Sequence, residues 1–341
     1  MRAIGYKLKG PISADSSLED ISLARPGALG RDLLVEVKAI SVNPVDTKVR
    51  QNVSAPEGEW KVLGWDCSGI VAEVGEGVIG FAPGDEVFYA GSVVRAGANA
   101  EFHVVDERIV AKKPSSLSFA EAAALPLTSI TAWEAMFDRL NVERAVPGSL
   151  HAVVIVGGAG GVGSIAVQLA RRLTDLTVIA TASRPETQDW VRSLGAHHVI
   201  DHSKPLAVQV KELGLGLPGF VFSTTNTDSH FPEIVELTAP QGRIAVIDSP
   251  ALLDINPCKQ KSISVHWEYM FTRSQFATAD MESQGRLLSR VAELVDSGSI
   301  RTTLSDTFGT INAKNLKRAH AFIESGKARG KVVLAGFDPA A

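Results

Sequence analysis

Only two of the 341 residues are cysteines, Cys67 and Cys258. That is too few for a disulfide-stapled fold, and nothing else points to an oxidising compartment, so both read as free thiols. Long apolar runs are missing too. No segment approaches the roughly 18 consecutive apolar residues of a membrane-spanning helix. The opening Met1-Arg2-Ala3-Ile4-Gly5-Tyr6 lacks the apolar core and cleavage site of a secretory signal, and a cytoplasmic location is expected. Neither sign of charge dominates. Thirty-four Lys and Arg against 38 Asp and Glu leave a net charge of −4, which provides no basic field for nucleic acid or anionic lipid. Internal repeats and low-complexity stretches are absent as well.

What is present is a long, well-buried chain. Its length exceeds one ordinary core, so two domains are expected. A 45% hydrophobic content and 30 glycines suit a turn-rich α/β protein. The first ~125 residues carry short strands at 33–40 and 69–75, broken by turns such as Pro83-Gly84-Asp85-Glu86, the pattern of a small β-barrel-like domain. Ser118-Phe119-Ala120-Glu121 is a capping box that opens an Ala-rich helix interrupted by Pro126. A second apolar helix is expected from Ile130 to Met136. From His151 onward strands alternate with helices, at 152–156, 176–182, 197–201, 219–223, 243–248 and 262–267, which reads as a doubly wound parallel sheet. An amphipathic run from Gln284 to Val295 and a strand from Lys331 to Leu334 follow, and can return to the first domain.

The strongest local signal is Ala152-Val153-Val154-Ile155-Val156-Gly157-Gly158-Ala159-Gly160-Gly161-Val162-Gly163. An apolar, β-branched strand feeds into glycines at 158, 160 and 163 and then into a helix. In a dinucleotide fold the first glycine permits the turn, the second admits a pyrophosphate and the third lets helix pack on strand. The phosphates then meet free N–H groups at the helix start, Gly161 and Val162 included. The second strand ends in Ala182-Ser183-Arg184, without the acid that would hold NAD ribose hydroxyls. Ser183 and Arg184 instead offer a hydroxyl and a guanidinium fork to a 2′-phosphate. NADP(H) is therefore the expected cofactor.

Gly64-Trp65-Asp66-Cys67-Ser68-Gly69-Ile70-Val71, Pro83-Gly84-Asp85-Glu86-Val87, Ala122-Ala123-Ala124-Leu125-Pro126-Leu127-Thr128 and the glycine turn occur in the order seen in medium-chain dehydrogenases/reductases. The chain resembles that family over about residues 3–336, most closely its zinc-free quinone oxidoreductase branch and the bacterial proteins labelled zinc-type alcohol dehydrogenase-like. The resemblance implies a GroES-like catalytic domain built from 1–128 and 270–341, with a Rossmann domain at 129–269 between them. It also implies a homodimer joined at Rossmann sheet edges, here near Ser262 to His266.

Zinc is the departure. Catalytic zinc takes three ligands from Cys, His and Cys or Glu, but Asn43 stands at the place of the first Cys and Trp65 at that of the His. No Cys lies near Leu125 to Thr131, and the four-Cys structural lobe is missing, so no metal is expected. The remaining histidines form no metal-ligand spacing, and no Ser-His-Asp or Cys-His arrangement can be argued. Without a Lewis acid, hydride delivery to an already electrophilic quinone or α,β-unsaturated carbonyl stays feasible.

The resemblance places Asn43, Asp46 and Lys48 beside the nicotinamide. Asn43 is a candidate donor to substrate, Asp46 its orienter or a turn cap, and Lys48 a cationic donor or a solvated side chain. Thr128, Thr131, Ile247, Asp248 and Phe271 match nicotinamide or ribose contacts. His202 and Lys331 match positions near the cofactor phosphates. Trp65 and Trp267 are either acceptor-pocket walls or core. The expected function is a metal-independent NADPH-dependent quinone or enone reductase. Its rivals are a zinc-dependent alcohol dehydrogenase and a non-catalytic NADP(H)-binding redox sensor.

Overall fold

The computed structural model describes residues 1–338, so the last three residues of the 270–341 segment lie outside it. The chain forms two compact units. One joins Met1–Leu127 to the segment that begins at Phe271, and the other is Thr128–Met270.

The first unit contains β1 (Arg2–Tyr6), β2 (Glu19–Ser22), β3 (Asp32–Val42), α1 (Pro44–Asn52), β4 (Lys61–Val62), β5 (Cys67–Val74), β6 (Glu86–Tyr89), β7 (Phe102–Asp106), β8 (Val110–Lys112) and α2 (Phe119–Ala123). Its spine is β3. Val35, Val37 and Ala39 are buried while Glu36 and Lys38 between them reach toward solvent, the period-two pattern of a strand with one wet face. Antiparallel partners β5 and β7 flank it, and a three-stranded sheet β2-β1-β4 stands beside this seven-stranded one.

Ser118 caps α2 as the sequence implied, its Oγ accepting from Glu121 N while Glu121 Oε2 accepts from Ser118 N at 2.9 Å. The next helix differs from expectation. α3 (Pro126–Trp133) starts at Pro126 rather than Ile130 and continues as a π-helical turn, Glu134–Arg139. Proline is tolerated at a first helical position because the N–H it lacks has no intrahelical partner there.

The second unit holds β9 (Leu150–Val156), α4 (Gly161–Leu173), β10 (Thr177–Thr181), α5 (Pro185–Ser193), β11 (His198–Ile200), α6 (Leu206–Glu212), β12 (Pro218–Ser223), α7 (Thr227–Leu237), β13 (Arg243–Val246) and β14 (Ser264–Trp267). All six strands are parallel, in the order β11-β10-β9-β12-β13-β14. This is the doubly wound α/β sheet read from the sequence. Ala152 to Val156 are buried on both faces, as a central parallel strand between helical layers must be. Strand order reverses between β9 and β12, so the ligand crevice opens at their carboxyl ends.

The chain then passes through α8 (Thr272–Gln275), α9 (Ser283–Asp296), β15 (Leu304–Thr307), α10 (Ala313–Glu324) and β16 (Lys331–Ala335). β16 lies antiparallel on β3, Val332 opposite Val42. That register sets Lys331 beside Asn43, at the head of α1.

Candidate active site

The glycine turn after β9 changes one of the three expected roles, that of the first glycine. The left-handed residue is Gly157 (φ 78°), not Gly158. Gly158 serves close packing, because a Cβ there would lie 2.9 Å from the Ala180 Cβ on β10. At Gly163 a Cβ would come within 2.2 Å of the Gly157 carbonyl oxygen, so only glycine lets α4 approach β9. Gly160 is the exception. Its φ and ψ (−69°, 175°) suit any residue, and the nearest atom to an added Cβ is 3.4 Å away. The fold does not demand glycine there, whereas a pyrophosphate seated against the backbone would.

Gly160 caps α4 without any side-chain hydrogen bond. The N–H groups of Gly161 and Val162 have no acceptor within the helix, and the positive end of its dipole faces the turn. Thr181 braces this cradle from β10. Its Oγ1 accepts from Gly157 N at 3.0 Å, and its carbonyl accepts from Gly158 N at 3.0 Å. A dinucleotide pyrophosphate fits this arrangement.

At the end of β10, Ser183 and Arg184 lead into α5. Arg184 Nε lies 3.2 Å from Glu186 Oε1 at the surface. Such an exposed pair contributes about 0–1 kcal/mol. His202 Nδ1 meets Thr181 Oγ1 at 3.1 Å. Burial and neighbouring His230 lower its pKa. Thr128 and Thr131 are buried on α3. Ile247 N donates to the Ser223 carbonyl at 3.3 Å. The Asp248 carboxylate accepts from Thr227 N at 2.9 Å and from Thr227 Oγ1, fastening the start of α7.

In the first unit, Asn43, Asp46 and Lys331 come together with Asp66, and all four are buried. Asp66 Oδ1 accepts from Leu127 N at 2.8 Å, and its Oδ2 accepts from Asn43 Nδ2 at 2.8 Å and Lys331 Nζ at 3.0 Å. Lys331 also donates to the Val42 carbonyl at 3.0 Å and to Asn43 Oδ1. Asp46 Oδ2 accepts from Asn43 N at 2.7 Å and Oδ1 from Gly64 N at 3.0 Å. Burial pushes the Asp46 carboxyl up to about 7, against the pull of those N–H groups and of Lys331.

Two roles carried over from the resemblance therefore change. The Asn43 amide serves this network from both ends and is no donor aimed at substrate. Lys331 is an interior cation with its ammonium protons directed into the network, not a basic residue offered to a pyrophosphate. Both changes have one cause, since a buried carboxylate needs charge and hydrogen-bond compensation nearby. Asp46 is the cap that was one of its two readings. Lys48 on α1 is exposed.

The aromatic residues separate. Trp65 is core, its Nε1 donating to the Ser92 carbonyl at 3.1 Å and its ring edge-on to buried Phe271 at 6.0 Å. Trp267 is 55% exposed on edge strand β14.

A catalytic zinc ion does not fit the residues at its family positions. Asn43 and Trp65 are neither thiolate nor imidazole and already have partners. Burial pushes the Cys67 thiol up to about 12, away from the thiolate form that zinc binds. Among the described residues no three His, Cys, Asp or Glu side chains gather as a metal would require.

Sequence reasoning did not single out Asp66, Glu134 and Glu268. The signal for Asp66 was an acid on the way into the buried strand β5. Glu268, just past β14, is fully buried and accepts from Arg139 Nε at 2.8 Å. Burial, reinforced by the negative charge of Glu134, pushes its carboxyl up to about 9. A raised carboxyl pKa means the folded state holds its proton more tightly than the unfolded chain. That stability is full below the unfolded value near 4.5 and is lost as pH climbs through 9. Glu268→Gln, which cannot ionise, should gain melting temperature relative to the parent between pH 6 and 9. Parallel pH profiles for the two proteins would contradict the assignment.

Comparison with known proteins agrees with the fold. Residues 30–115 match the alcohol dehydrogenase GroES-like domain family and 194–334 the zinc-binding dehydrogenase family. A zinc-type alcohol dehydrogenase-like protein of Staphylococcus aureus (strain MRSA252) is 40% identical over 338 residues, spanning 98% of this chain and 99% of its own. A crystal structure from Rhizobium etli CFN 42, described as a zinc-dependent alcohol dehydrogenase protein, is 64% identical and superposes with a TM-score of 0.98, covering 99% and 98% of the two chains. The quinone oxidoreductase of Coxiella burnetii is 26% identical with a TM-score of 0.78, covering 98% and 99%. By sequence and by fold, this chain belongs to the oxidoreductases of the medium-chain dehydrogenase/reductase superfamily.

Proposed function

We propose that this protein is an NADPH-dependent, metal-independent reductase of quinones or α,β-unsaturated carbonyls. The observation that carries the reading is the fate of the zinc positions, where Asn43 and Trp65 are engaged by other protein groups. An alkoxide would find no Lewis acid in such a set, whereas a quinone or enone spreads incoming charge over its own conjugated atoms. The likeness to a quinone oxidoreductase supports the same choice.

The bound nicotinamide would supply the hydride. The chain's own part is to seat the cofactor and orient the acceptor. Gly160 to Gly163 receive the pyrophosphate on the α4 amides, and Ser183 with Arg184 takes the 2′-phosphate. Thr128, Thr131 and the backbone of Ile247 and Asp248 are assigned to the nicotinamide end. Lys48 is the remaining cationic donor to a substrate oxygen. The open edge of β14, with exposed Trp267, is the surface for pairing two copies through their sheets. Both cysteines are buried and unpaired, which suits the cytosol.

The test is loss of NADPH absorbance with quinones, enones and aldehydes, and gain with alcohol and NADP⁺, each with and without chelator. Chelator-insensitive reduction of quinones or enones is expected. Activity restricted to alcohols or aldehydes and abolished by chelator would replace the reading with a zinc dehydrogenase, and NADPH binding without turnover would replace it with the sensor. In the same assay Arg184→Ala should cut the preference for NADPH over NADH by about 10- to 100-fold, the value of one or two charge-assisted hydrogen bonds. An unchanged preference would remove Arg184 from the 2′-phosphate site.

A further inference from the structure

We propose that Lys331 is a positioning residue for cofactor binding, acting through Asp66 to hold the first turn of α3, the helix that carries Thr128 and Thr131. This rests on the reading above that those two threonines adjoin the nicotinamide end.

Pro126 opens α3 and has no N–H, so Leu127 carries the first N–H of the helix. Its acceptor is Asp66 Oδ1 at 2.8 Å. A carboxylate at a helix start answers both the unpaired N–H and the positive end of the dipole. This one comes from Asp66, 61 positions earlier and just ahead of β5, and it is fully buried. Burial raises the Asp66 pKa, and the foremost influence opposing it is the Lys331 charge. Without that charge, a proton becomes the cheapest compensation for the carboxyl. A neutral, protonated Asp66 binds Leu127 less tightly and no longer meets the helix dipole with charge.

A second route links the same residue to the same junction. Lys331 N donates to the Thr303 carbonyl at 2.8 Å, and Thr303 Oγ1 donates to the Ala124 carbonyl at 3.2 Å, between α2 and α3. The ammonium and the backbone of one residue thus brace both sides of Pro126. Asn43 completes the brace, accepting from Lys331 and donating to Asp66.

The experiment compares Lys331→Met, Lys331→Arg and the double variant Lys331→Met with Asp66→Asn. Three quantities are read: amide hydrogen exchange at Leu127, NADPH affinity by fluorescence, and KM against kcat. Lys331→Met should speed Leu127 exchange by about tenfold or more as the first turn frays. NADPH Kd and KM should rise about tenfold while kcat moves less than about threefold. Lys331→Arg keeps a cation and should restore most of the affinity. The double variant leaves no unpaired charge and so keeps the fold if Lys331→Met does not, but its cap is neutral and NADPH should still bind several-fold more weakly. Folded variants with parental Leu127 exchange and NADPH affinity within about twofold would overturn the proposal. If the parent binds NADPH but reduces no acceptor, the proposed function falls alone. The positioning role is then still decided by exchange and affinity.

Discussion

Gly160→Ala should fold as the parent does and yet bind NADPH about 100-fold more weakly, a loss near 2.7 kcal/mol. The expectation follows from what surrounds that one position. Its backbone lies in the extended region open to any residue, and the nearest atom to an added Cβ is 3.4 Å away. The melting temperature should therefore stay within a few degrees, as for substitutions that disturb no packing. Under the proposed function, the added methyl would intrude on the pyrophosphate seat. Gly163→Ala provides the contrast, since its Cβ would stand 2.2 Å from the Gly157 oxygen and 2.7 Å from Gly158 Cα. Forcing backbone apart in this way costs about 1–3 kcal/mol or more, so this variant should lose stability and affinity together. Calorimetric titration beside thermal unfolding separates the two behaviours. If Gly160→Ala bound NADPH within about threefold of the parent, the turn would not be the pyrophosphate seat.

The largest stability effect should come from Arg50, a fully buried guanidinium on α1. Its Nη2 pairs with Glu324 on α10, Nη1 donates to the Gly10 carbonyl, and Nε faces His320 Nδ1 at 3.4 Å. Burial and the charge of Arg50 depress His320 to about 3, so its ring stays neutral and accepts. Arg50→Met removes the cation and leaves a half-buried carboxylate and a buried carbonyl without it. Losing the charge-assisted hydrogen bonds of this buried cation costs about 1.5–3 kcal/mol, and the unfolding midpoint should fall by several degrees. Arg50→Met combined with Glu324→Leu should recover a substantial part of this, because the stranded charge goes too. A single-variant loss below about 1 kcal/mol in urea titration would show that the pair does not hold α1 to α10.

The dinucleotide half of the molecule was legible in the sequence because its signals are local. Val153 to Val156 are consecutive apolar residues that only a central parallel strand buries on both sides. The glycines that follow lie within seven positions of one another, so turn, cradle and helix start are set by neighbours in the chain. Even there the division of labour was decided by packing. Gly157 took the left-handed conformation, while Gly158 was required by Ala180, a residue of the next strand. The lowered pKa of His202 was equally out of reach, since it depends on burial and on neighbouring His230.

The residues around Asn43 show the opposite case. The sequence by itself determined the α/β class, the six strands and the absence of zinc ligand types at the family positions. It also determined that Ser183-Arg184, with no acid between them and the second strand, follows that strand. Only the tertiary structure decided what Asn43, Asp66 and Lys331 do, because Asn43 and Lys331 are 288 residues apart and meet solely through the pairing of β16 with β3. Periodicity reports which face of an element is apolar. A buried charge is governed by what stands opposite it across the core, and that is set by strand register.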